Sequence, residues 1–381
     1  MRIPKMLFLR ASRKTKSSCL SVNNMASEAP RDEKGLKVRD KQTFSTPIPT
    51  RWVGPLILKG DVVDGEVSVP LATFESPLWP STDRGAGVSR HSGGIHVTMV
   101  DERMTRSIAV RAPSGAEAVA AWRRIEAQFD KVAEIIATTS RFARLNRLNR
   151  QIAGNLLFVR VECITGDASG HNMVTKAAEA VLEWILADQP HLTYSSISGN
   201  LCTDKKPSAV NGLLGRGKYM IAEIEIPRKI LTRMLRTDAE KMVLLNHEKN
   251  YVGGTLAGSL RSANAHFANM LLAFYLATGQ DAANIIEGSQ GQVTCEKRGE
   301  DLYFACTLPN LIMGSVGAGK GNTAVEDNLA RMGCKDDRPA GENARRLAGI
   351  CAATVLCGEL SLLAAQTNPG ELVRTHMELE R

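Results

Sequence analysis

The chain has 381 residues and a formal net charge of +8, with a sequence pI of about 9.1. Its length allows one large or two moderate domains, and 43% hydrophobic with 23% charged residues is ordinary for a soluble globular protein. Aromatic residues make up only 5%, which argues against stacking platforms for single-stranded nucleic acid. The positive charge favours an anionic partner, either nucleic acid or a phosphorylated ligand.

The eight cysteines form no CxxC pair, so we expect mostly buried thiols in a reducing compartment and no metal site. No uninterrupted apolar run reaches the ~18–20 residues of a membrane span. Residues 1–45 are basic and Ser-rich, and we interpret them as a flexible leader rather than a transit peptide. The sequence therefore predicts a cytoplasmic protein without a membrane anchor.

Ordered structure is predicted to begin near residue 47, with strand-like segments before a Pro-rich loop that carries Glu75. Residues 93–102 and 106–113 alternate apolar with polar side chains, which is typical of strands. Apolar residues recur every three or four positions from 114 to 137 and again from 172 to 188, on either side of a β-rich run at 156–166. These periods predict helix, strand and helix, and so a compact α/β unit.

The remaining chain predicts a strand at 219–227, a hairpin that turns at 298–300 and a long Ala/Leu-rich helix from 342 to about 365. Between the strand and the hairpin, residues 262–286 are small or apolar around the whole helix circumference. A helix of that composition is expected to be buried on all sides. We therefore predict a buried central helix there.

Two loops are candidates for binding an anion. Residues 166–173 (GDASGHNM) follow a β-rich run and open a helix whose free N–H groups could hold an anion, although a simple Asp N-cap explains the pattern equally well. Residues 314–322 (GSVGAGKGN) nearly match the phosphate-binding GxxxxGK[ST] motif, but Gly321 stands where the magnesium-binding Ser or Thr is required. A glycine loop along a phosphorylated ligand is favoured over a P-loop, with a plain turn as the alternative.

Charged residues elsewhere can be interpreted either as solvated surface residues or as parts of a functional site. Residues 204–207 (DKKP) place an acid and two ammonium groups on a short loop. This loop is either a solvated surface loop or a site that binds an anion and stabilises a developing oxyanion. Glu75 alone is most simply a surface residue, whereas Asp281 interrupts an apolar stretch and needs a partner. His266 and Asn269 lie one helical turn apart on one face.

Together these segments resemble the catalytic region of 3-hydroxy-3-methylglutaryl-coenzyme A (HMG-CoA) reductase, across residues 47–381. The runs that carry the resemblance are TPIPTRWVGPL, VPLATFES, TSRFARL, GDASGHNM, SGNLCTDKKPSAVN, GRGK, LAGSLRSANAHFAN, TGQDAAN, MGSVGAG, GENARRLA and THM. The resemblance implies an α/β (α+β) fold, with a large domain around a buried central helix and an inserted small ferredoxin-like dinucleotide-binding domain. The implied bounds are 1–45 for the leader, 46–107 with 197–381 for the large HMG-CoA-binding domain, and 108–196 for the small one.

The resemblance also implies an oxidoreductase that reduces the HMG-CoA thioester with two hydrides from NADPH, giving mevalonate and coenzyme A in isoprenoid biosynthesis. Lys205 would stabilise the oxyanion, and Glu75 would hold a proton for the alkoxide. Asp281 would be coupled to both Glu75 and Lys205. His376 would protonate the departing thiolate. The implied substrate-binding residues are Arg106, Ser198, Asp204, Lys206, Lys249, His266 and Asn269.

The implied cofactor-binding residues are Ser140, Arg141, Asp167, Ala168, Ser169, Gly170, His171, Asn172, Gly317 and Gly319. Ser140 and Arg141 suit a 2′-phosphate, which favours NADPH, with NADH possible. The sequence departs from the family where Ser169 and His171 replace Met, where Gly87 replaces a basic residue of animal members, and where 42–46 replaces an upstream coenzyme A-contact element. The resemblance further implies a homodimer or higher even oligomer with an interfacial active site.

Two other classes of protein give different expectations. A nucleic-acid-binding protein, suggested by the charge, would bind nucleic acid in a salt-sensitive way. A P-loop nucleotide hydrolase would turn over ATP with magnesium, which the missing Ser or Thr argues against. A catalytically silent relative would lack some of the polar positions named above, and all of them are filled.

Overall fold

Ten β-strands and thirteen α-helices follow one another between residues 46 and 379, the range that the computed structural model describes. Within the last helix, the side chains of Thr375, His376, Glu378 and Leu379 lie outside that description. The strands are β1 (Thr50–Lys59), β2 (Gly65–Ala72), β3 (Ile95–Arg111), β4 (Arg144–Ala153), β5 (Leu156–Ile164), β6 (Thr193–Ser196), β7 (Gly217–Ile226), β8 (Ser262–Ala263), β9 (Gly291–Arg298) and β10 (Asp301–Leu311).

The helices follow the same chain order. They are α1 (Leu78–His91), α2 (Gly115–Ala127), α3 (Phe129–Thr139), α4 (His171–Asp188), α5 (Ala209–Leu214), α6 (Arg228–Ile230), α7 (Ala239–Leu245), α8 (Gly254–Leu256), α9 (Phe267–Ala277), α10 (Ile285–Gly288), α11 (Thr323–Arg331), α12 (Glu342–Gln366) and α13 (Glu371–Leu379). Two π-helical segments, Leu231–Leu235 and Asn246–Gly253, and one 3₁₀ segment, Ala282–Asn284, lie between them.

Strand β3 belongs to two sheets. Its first half pairs with β7 as far as Arg103 opposite Gly217, and from Met104 onward it pairs with β5 and β6. The large sheet has the order β2-β1-β3-β7-β10-β9-β8, and the small one runs β4-β5-β3-β6. The sequence predicted two strands here, with charged residues between them. The charged residues instead belong to one continuous strand, and Arg103 lies 3.0 Å from the buried carboxylate of Glu162 on β5.

The small sheet carries three helices and its own hydrophobic core. In chain order the elements are β3, α2 with α3, β4, β5, α4 and β6, which is the βαββαβ order of a ferredoxin-like unit. Its core includes Trp122, Ile136 and Val181. The predicted ferredoxin-like architecture is confirmed, whereas the bounds 108–196 stay a prediction, because Met104 and Ile312 also contribute to this core.

Helix α12 runs through the main core, where it contacts α1, α9, β3, β7 and β10. Residues 262–286 were predicted to be the helix buried all round, but Leu272 on α9 is 37% exposed and α9 ends before Gly279, which has φ +61°. Helix α12 is long and apolar enough to span a membrane by composition alone, yet 94% of its apolar window is buried within the protein. That is the environment of a core helix.

Two differences from the predicted elements have simple physical causes. Helix α1 forms in the predicted Pro-rich loop because Pro80 falls in its first turn, where the backbone N–H groups have no intrahelical partner. The helix predicted over 114–137 is interrupted at Gln128, whose N–H group caps α2. The sequence pattern marks a helical face correctly but not a one-residue break in it.

The cysteines behave largely as expected. Seven of them lie in the described range as free thiols, and six of these are buried. Burial raises the pKa of Cys163, Cys295 and Cys334 to about 12, so these thiols stay protonated at neutral pH. Cys19 and the predicted leader lie outside the described residues.

Candidate active site

Lys205 and Asp281 form an ion pair in the lining of a cavity. Lys205 Nζ lies 2.6 Å from Asp281 Oδ2, and Asp281 Oδ1 accepts a hydrogen bond from the N–H of Ala283 at the start of the 3₁₀ turn. The hydrogen bond to Asp281 raises the pKa of Lys205, against the opposing effect of burial. Burial raises the pKa of Asp281, but the hydrogen bond and charge of Lys205 outweigh this and lower it. The pair is therefore an ammonium beside a carboxylate.

Asp204 lies among three cationic or potentially cationic side chains. Its carboxylate is 3.0 Å from Arg216 Nη2, 3.7 Å from Arg106 Nη1 and 3.8 Å from His171 Nε2. Burial, followed by the charge of Arg216, lowers the pKa of His171 to about 4. His171 is therefore a neutral imidazole at neutral pH, and the positive charge around Asp204 comes from the arginines.

These side chains line a cavity of about 500 Å³ together with the two glycine-containing loops. Its lining comprises Arg106, residues 168–173, Asp204, Lys205, Asp281, residues 316–318 and Lys320. Ala168 bridges Val316 in parallel fashion, and a Cβ on Gly314 would lie only 2.4 Å from the N atom of Ser169. Glycine at 314 thus lets the two loops approach each other and form one wall.

Asp167 organises this wall through its carboxylate. Its oxygens accept hydrogen bonds from the N–H groups of Gly341 (2.8 Å) and Ala344 (2.9 Å) at the start of α12, and from Ser315 Oγ (3.3 Å). The predicted cofactor loop is therefore fixed to the N-terminus of the core helix. Gly317 lines the cavity, whereas Gly319 packs against Gly279, where a Cβ would lie 2.5 Å from the carbonyl oxygen.

The predicted 2′-phosphate residues lie beside the same loop. Ser140 Oγ accepts a hydrogen bond from the N–H of Phe142 at 3.2 Å. Arg141 is exposed, with its guanidinium 5.4 Å from the Phe142 ring centre, and Phe142 lies against Gly166. Arg141 is thus free to meet an anion next to the loop, outside the cavity lining.

A second group of predicted residues lines another cavity, of about 370 Å³. Asn269 Nδ2 donates to Glu75 Oε2 at 3.0 Å, and His266 Nδ1 lies 2.7 Å from the fully buried carboxylate of Glu359 on α12. Burial lowers the pKa of Lys249, opposed by the charge of Glu359. Glu75, His266 and Asn269 therefore belong to one neighbourhood, with Lys249 within electrostatic range of Glu359, and Lys205 with Asp281 belongs to another.

Two predicted substrate-binding residues, Ser198 and Lys206, line neither cavity. Ser198 is exposed, and Lys206 Nζ donates to the carbonyl of Asp204 at 3.0 Å on the outer side of the turn. His376 lies in α13, which is joined to α1 by an ion pair of 2.7 Å between Glu371 and Arg84; its side chain is outside the described atoms. Within residues 46–379, no three His, Cys, Asp or Glu side chains gather as metal ligands.

Three further charged residues contact the candidate site and were not selected from the sequence, and a fourth, Lys320, was noted only as part of the 314–322 motif. Arg216, Glu287 and Glu359 are fully buried. Lys320 Nζ donates to the carbonyl of Gly279 at 2.5 Å, and burial lowers its pKa to about 8. The sequence does indicate that the two glutamates are paired, because a carboxylate within an apolar helical stretch must find a partner. It does not identify that partner.

Comparisons with known proteins agree with the predicted resemblance. The sequence profile of the family described as "Hydroxymethylglutaryl-coenzyme A reductase" matches residues 37–381. The 3-hydroxy-3-methylglutaryl-coenzyme A reductase of Pyrococcus horikoshii is 42% identical over 339 residues, covering 88% of this chain and 81% of that relative. The sea-urchin reductase (Strongylocentrotus purpuratus) is 41% identical over 342 residues, but the chain spans only 36% of its length.

Solved structures show the same fold. The class II 3-hydroxy-3-methylglutaryl-CoA reductase of Streptococcus pneumoniae, solved bound to NADPH in open conformations, superposes with a TM-score of 0.67 at 19% identity and covers 87% of this chain and 88% of that one. Because the family profile matches most of the sequence, the chain belongs to the hydroxymethylglutaryl-coenzyme A reductase family.

Proposed function

We propose that this chain is a soluble, cytoplasmic HMG-CoA reductase, which reduces HMG-CoA with NADPH to mevalonate and free coenzyme A. Family membership supports the reaction, and one structural observation carries the chemistry. An ammonium held 2.6 Å from a carboxylate, in the lining of a cavity, can meet the oxygen on which negative charge develops. The remaining site residues are assigned around that contact.

The reaction needs two hydrides and two protons, because two C–H bonds form at the former thioester carbon while its C–S bond breaks. NADPH supplies each hydride when it is bound. Lys205 stabilises the negative oxygen in both steps, a contribution of about 2.7–4 kcal/mol for such a donor. Glu75 provides the proton for the final alkoxide, and His376 protonates the thiolate of coenzyme A as it leaves.

The substrate would be held at its other end by the cations near Asp204 and by residues around the second cavity, of about 370 Å³. Arg106, Lys206 and Lys249 suit the free carboxylate of HMG-CoA, because charge-assisted hydrogen bonds to a carboxylate are among the stronger ones. Ser198 and Asp204 would contact the substrate beside them. Asn269 holds Glu75 through a 3.0 Å hydrogen bond, and His266 completes that group.

The dinucleotide would lie along the wall built from residues 168–173 and 316–318. The first turn of the 18-residue helix α4 presents free N–H groups there, after Gly170 in a left-handed conformation (φ 93°), which suits a phosphate. The buried Nε2 atom of His171 accepts and donates no hydrogen bond among the described residues, so a polar ligand group could satisfy it. Ser140 and Arg141 would hold the 2′-phosphate.

We further propose that a second copy of the chain completes each active site. Glu75 and Lys205 line different cavities, yet the reaction needs both. Phe74, next to Glu75, is 73% exposed, and Leu213 and Leu256 are 65% and 84% exposed. Large exposed apolar side chains of this kind are expected at an interface between subunits.

One assay tests the reaction. The purified chain is mixed with HMG-CoA and either NADPH or NADH, and the loss of nicotinamide absorbance is followed together with thiol release. We expect turnover with NADPH, with two dinucleotides oxidised for each thiol released. A folded protein that oxidises neither dinucleotide would contradict the proposal.

Mixing two inactive variants tests the shared site. If Glu75 and Lys205 of different subunits form one site, Glu75→Gln and Lys205→Ala chains refolded together should regain roughly a quarter of wild-type activity, because half of the dimers are mixed and each has one intact site. Each variant alone should stay inactive. No recovery in a mixture that light scattering shows to be dimeric would place both residues in one subunit.

A further inference from the structure

The carboxylate of Glu287 holds the backbone of Lys205. Glu287 is fully buried, and its Oε1 atom accepts hydrogen bonds from the backbone N–H of Lys205 (3.1 Å), from Arg216 Nη1 (2.7 Å) and from Asn284 Nδ2 (2.9 Å). Neither the resemblance nor the comparisons assign a role to this residue. It nevertheless contacts the residue on which the proposed chemistry depends.

Arg216 extends this contact to the neighbouring residue of the turn. Its side chain is fully buried between two carboxylates, with Nη1 on Glu287 and Nη2 lying 3.0 Å from Asp204 Oδ1. A guanidinium can meet two carboxylates at once in a fixed geometry, which an ammonium cannot do. Glu287 and Arg216 thus fix both Asp204 and Lys205.

The turn needs such support because of its backbone conformation. Lys205 has φ 55°, in the left-handed region that residues other than glycine seldom adopt. Conformations of this kind persist where the surroundings over-determine them, and they concentrate at functional sites. The hydrogen bond from the Lys205 N–H group to Glu287 is one such restraint.

One short segment holds Lys205 at both ends. Asp281, which begins the 3₁₀ turn, binds the ammonium, and Glu287, in α10 directly after that turn, binds the backbone N–H. Asn310 on β10 anchors the segment by donating to the carbonyl of Glu287 at 3.0 Å. The position of the ammonium is therefore set by a rigid element rather than by the loop itself.

We infer that Glu287 and Arg216 are positioning residues, which hold the ammonium of Lys205 and the carboxylate of Asp204 in their reactive geometry. The inference rests on the proposed role of Lys205. It differs from a purely structural role for a buried ion pair, because it predicts an effect on the chemical step and on the ionisation of Lys205. Both effects can be measured separately from stability.

Glu287→Gln tests the inference, since it keeps an oxygen acceptor but removes the charge. We expect kcat to fall roughly 10- to 100-fold, as misplacement of a reacting group by about 1 Å does, while KM for NADPH is unchanged. The charge of Glu287 helps to raise the pKa of Lys205, so the alkaline limb of the kcat–pH profile should move to lower pH. Glu287→Asp, which keeps the charge, should leave the limb in place.

The shape of a pH profile is independent of the folded fraction only where that fraction is the same at every pH, so circular dichroism is recorded along the profile to check that the variant stays equally folded. If Glu287→Gln does not fold, Arg216→Lys serves instead. One ammonium cannot bridge both carboxylates, so this variant should lower kcat while KM for NADPH and the limb stay unchanged, and a wild-type kcat would contradict the positioning role. Glu300→Gln, on the exposed hairpin turn, is the matched control and should behave as the wild type.

The outcomes separate this inference from the proposed function. If Lys205→Ala is inactive but Glu287→Gln keeps its kcat and its alkaline limb, the positioning role is wrong and the proposed function stands. If Glu287→Gln lowers kcat but leaves the alkaline limb in place, and Glu287→Asp does not restore kcat, Glu287 has only a structural role and the inference is also wrong. If Lys205→Ala is active, both proposals fail together.

Discussion

The ammonium of Lys205 and the carboxylate of Asp281 lie 2.6 Å apart on two loops that are remote in sequence. The two side chains remain 39% and 44% exposed, and ion pairs that open to solvent contribute little to stability. Fold stability alone therefore does not explain why an ammonium is held beside a carboxylate in the lining of a cavity. Their accessibility to a ligand gives the pair a chemical rather than a structural significance.

Replacing Lys205 should strongly reduce turnover without unfolding the protein. For Lys205→Ala we expect kcat to fall by about 10²–10³-fold, the loss typical of one oxyanion donor, because no other described cation contacts Asp281. Steady-state kinetics with HMG-CoA and NADPH measure the loss, and circular dichroism checks the fold. Lys297→Ala, on the exposed hairpin, is the control and should retain wild-type rates.

Lys206→Ala gives a useful contrast with Lys205→Ala. Lys206 is exposed and donates only to the carbonyl of Asp204, so its loss should raise KM for HMG-CoA more than it lowers kcat. Equal kinetic effects of the two substitutions would mean that the loop simply attracts anions by its charge.

Replacing Asp281 should change the pH dependence of turnover. The hydrogen bond to Asp281 is the main cause of the raised pKa of Lys205. Lys205 is charged below that pKa, so activity is lost as the pH rises through it. In Asp281→Asn the pKa of Lys205 falls, and the alkaline limb of kcat should begin at lower pH. A limb at the wild-type position would show that a group other than Lys205 controls it.

The sequence predicted the ends of some site-forming elements well but not how those elements meet. Helix α4 and helix α12 begin and end within one residue of their predicted bounds, because their periodic apolar faces and flanking breakers are local signals. The sequence analysis assigned the central position to the segment that contains α9, whereas the central helix is α12. The many Ala, Gly and Cys residues of α12 make its sequence less apolar than that of α9, although α12 is the more buried helix. Burial is decided by packing partners.

In the site, too, local motifs were predictable and contacts between distant segments were not. The motif at 204–207 and Asp281 were predicted as one group, and they meet. Glu287 could not be assigned, because its importance lies in a hydrogen bond to the backbone of Lys205, and main-chain contacts leave no motif of their own. A buried acid in an apolar helix indicates that a partner exists, but only the fold identifies it.

Removal of the Arg141 guanidinium should weaken the preference for NADPH. Arg141 is exposed beside the loop at 166–170, and a guanidinium binds a phosphate in a bidentate way. Arg141→Ala should raise KM for NADPH and leave KM for NADH unchanged, as judged by parallel absorbance assays. Arg150→Ala, on β4 with its guanidinium stacked 5.0 Å from the Trp122 ring centre, controls for the loss of one positive charge; an equal effect there would indicate general electrostatics.

Replacement of His376 should affect one half of the reaction. If this residue protonates the leaving thiolate, His376→Gln will slow reduction of the thioester more than reduction of the free aldehyde mevaldate, from which no thiolate leaves. The ratio of the two rates in one preparation is the measurement, so that differences in folded fraction cancel. Equal losses with both substrates would contradict the thiolate role.

Helix α1 packs so closely on α12 that a single methyl group should destabilise the core. A Cβ on Gly85 would lie 2.2 Å from the carbonyl oxygen of Cys357, and this backbone atom cannot rotate away as a side chain could. For Gly85→Ala we expect the free energy of unfolding to fall by about 1–3 kcal/mol, as in overpacked cores, measured by denaturant titration. Gly321→Ala, where no atom lies within 4 Å of the new Cβ, should be neutral or slightly stabilising. A neutral result at Gly85 would mean that α1 can move away from α12 at little cost.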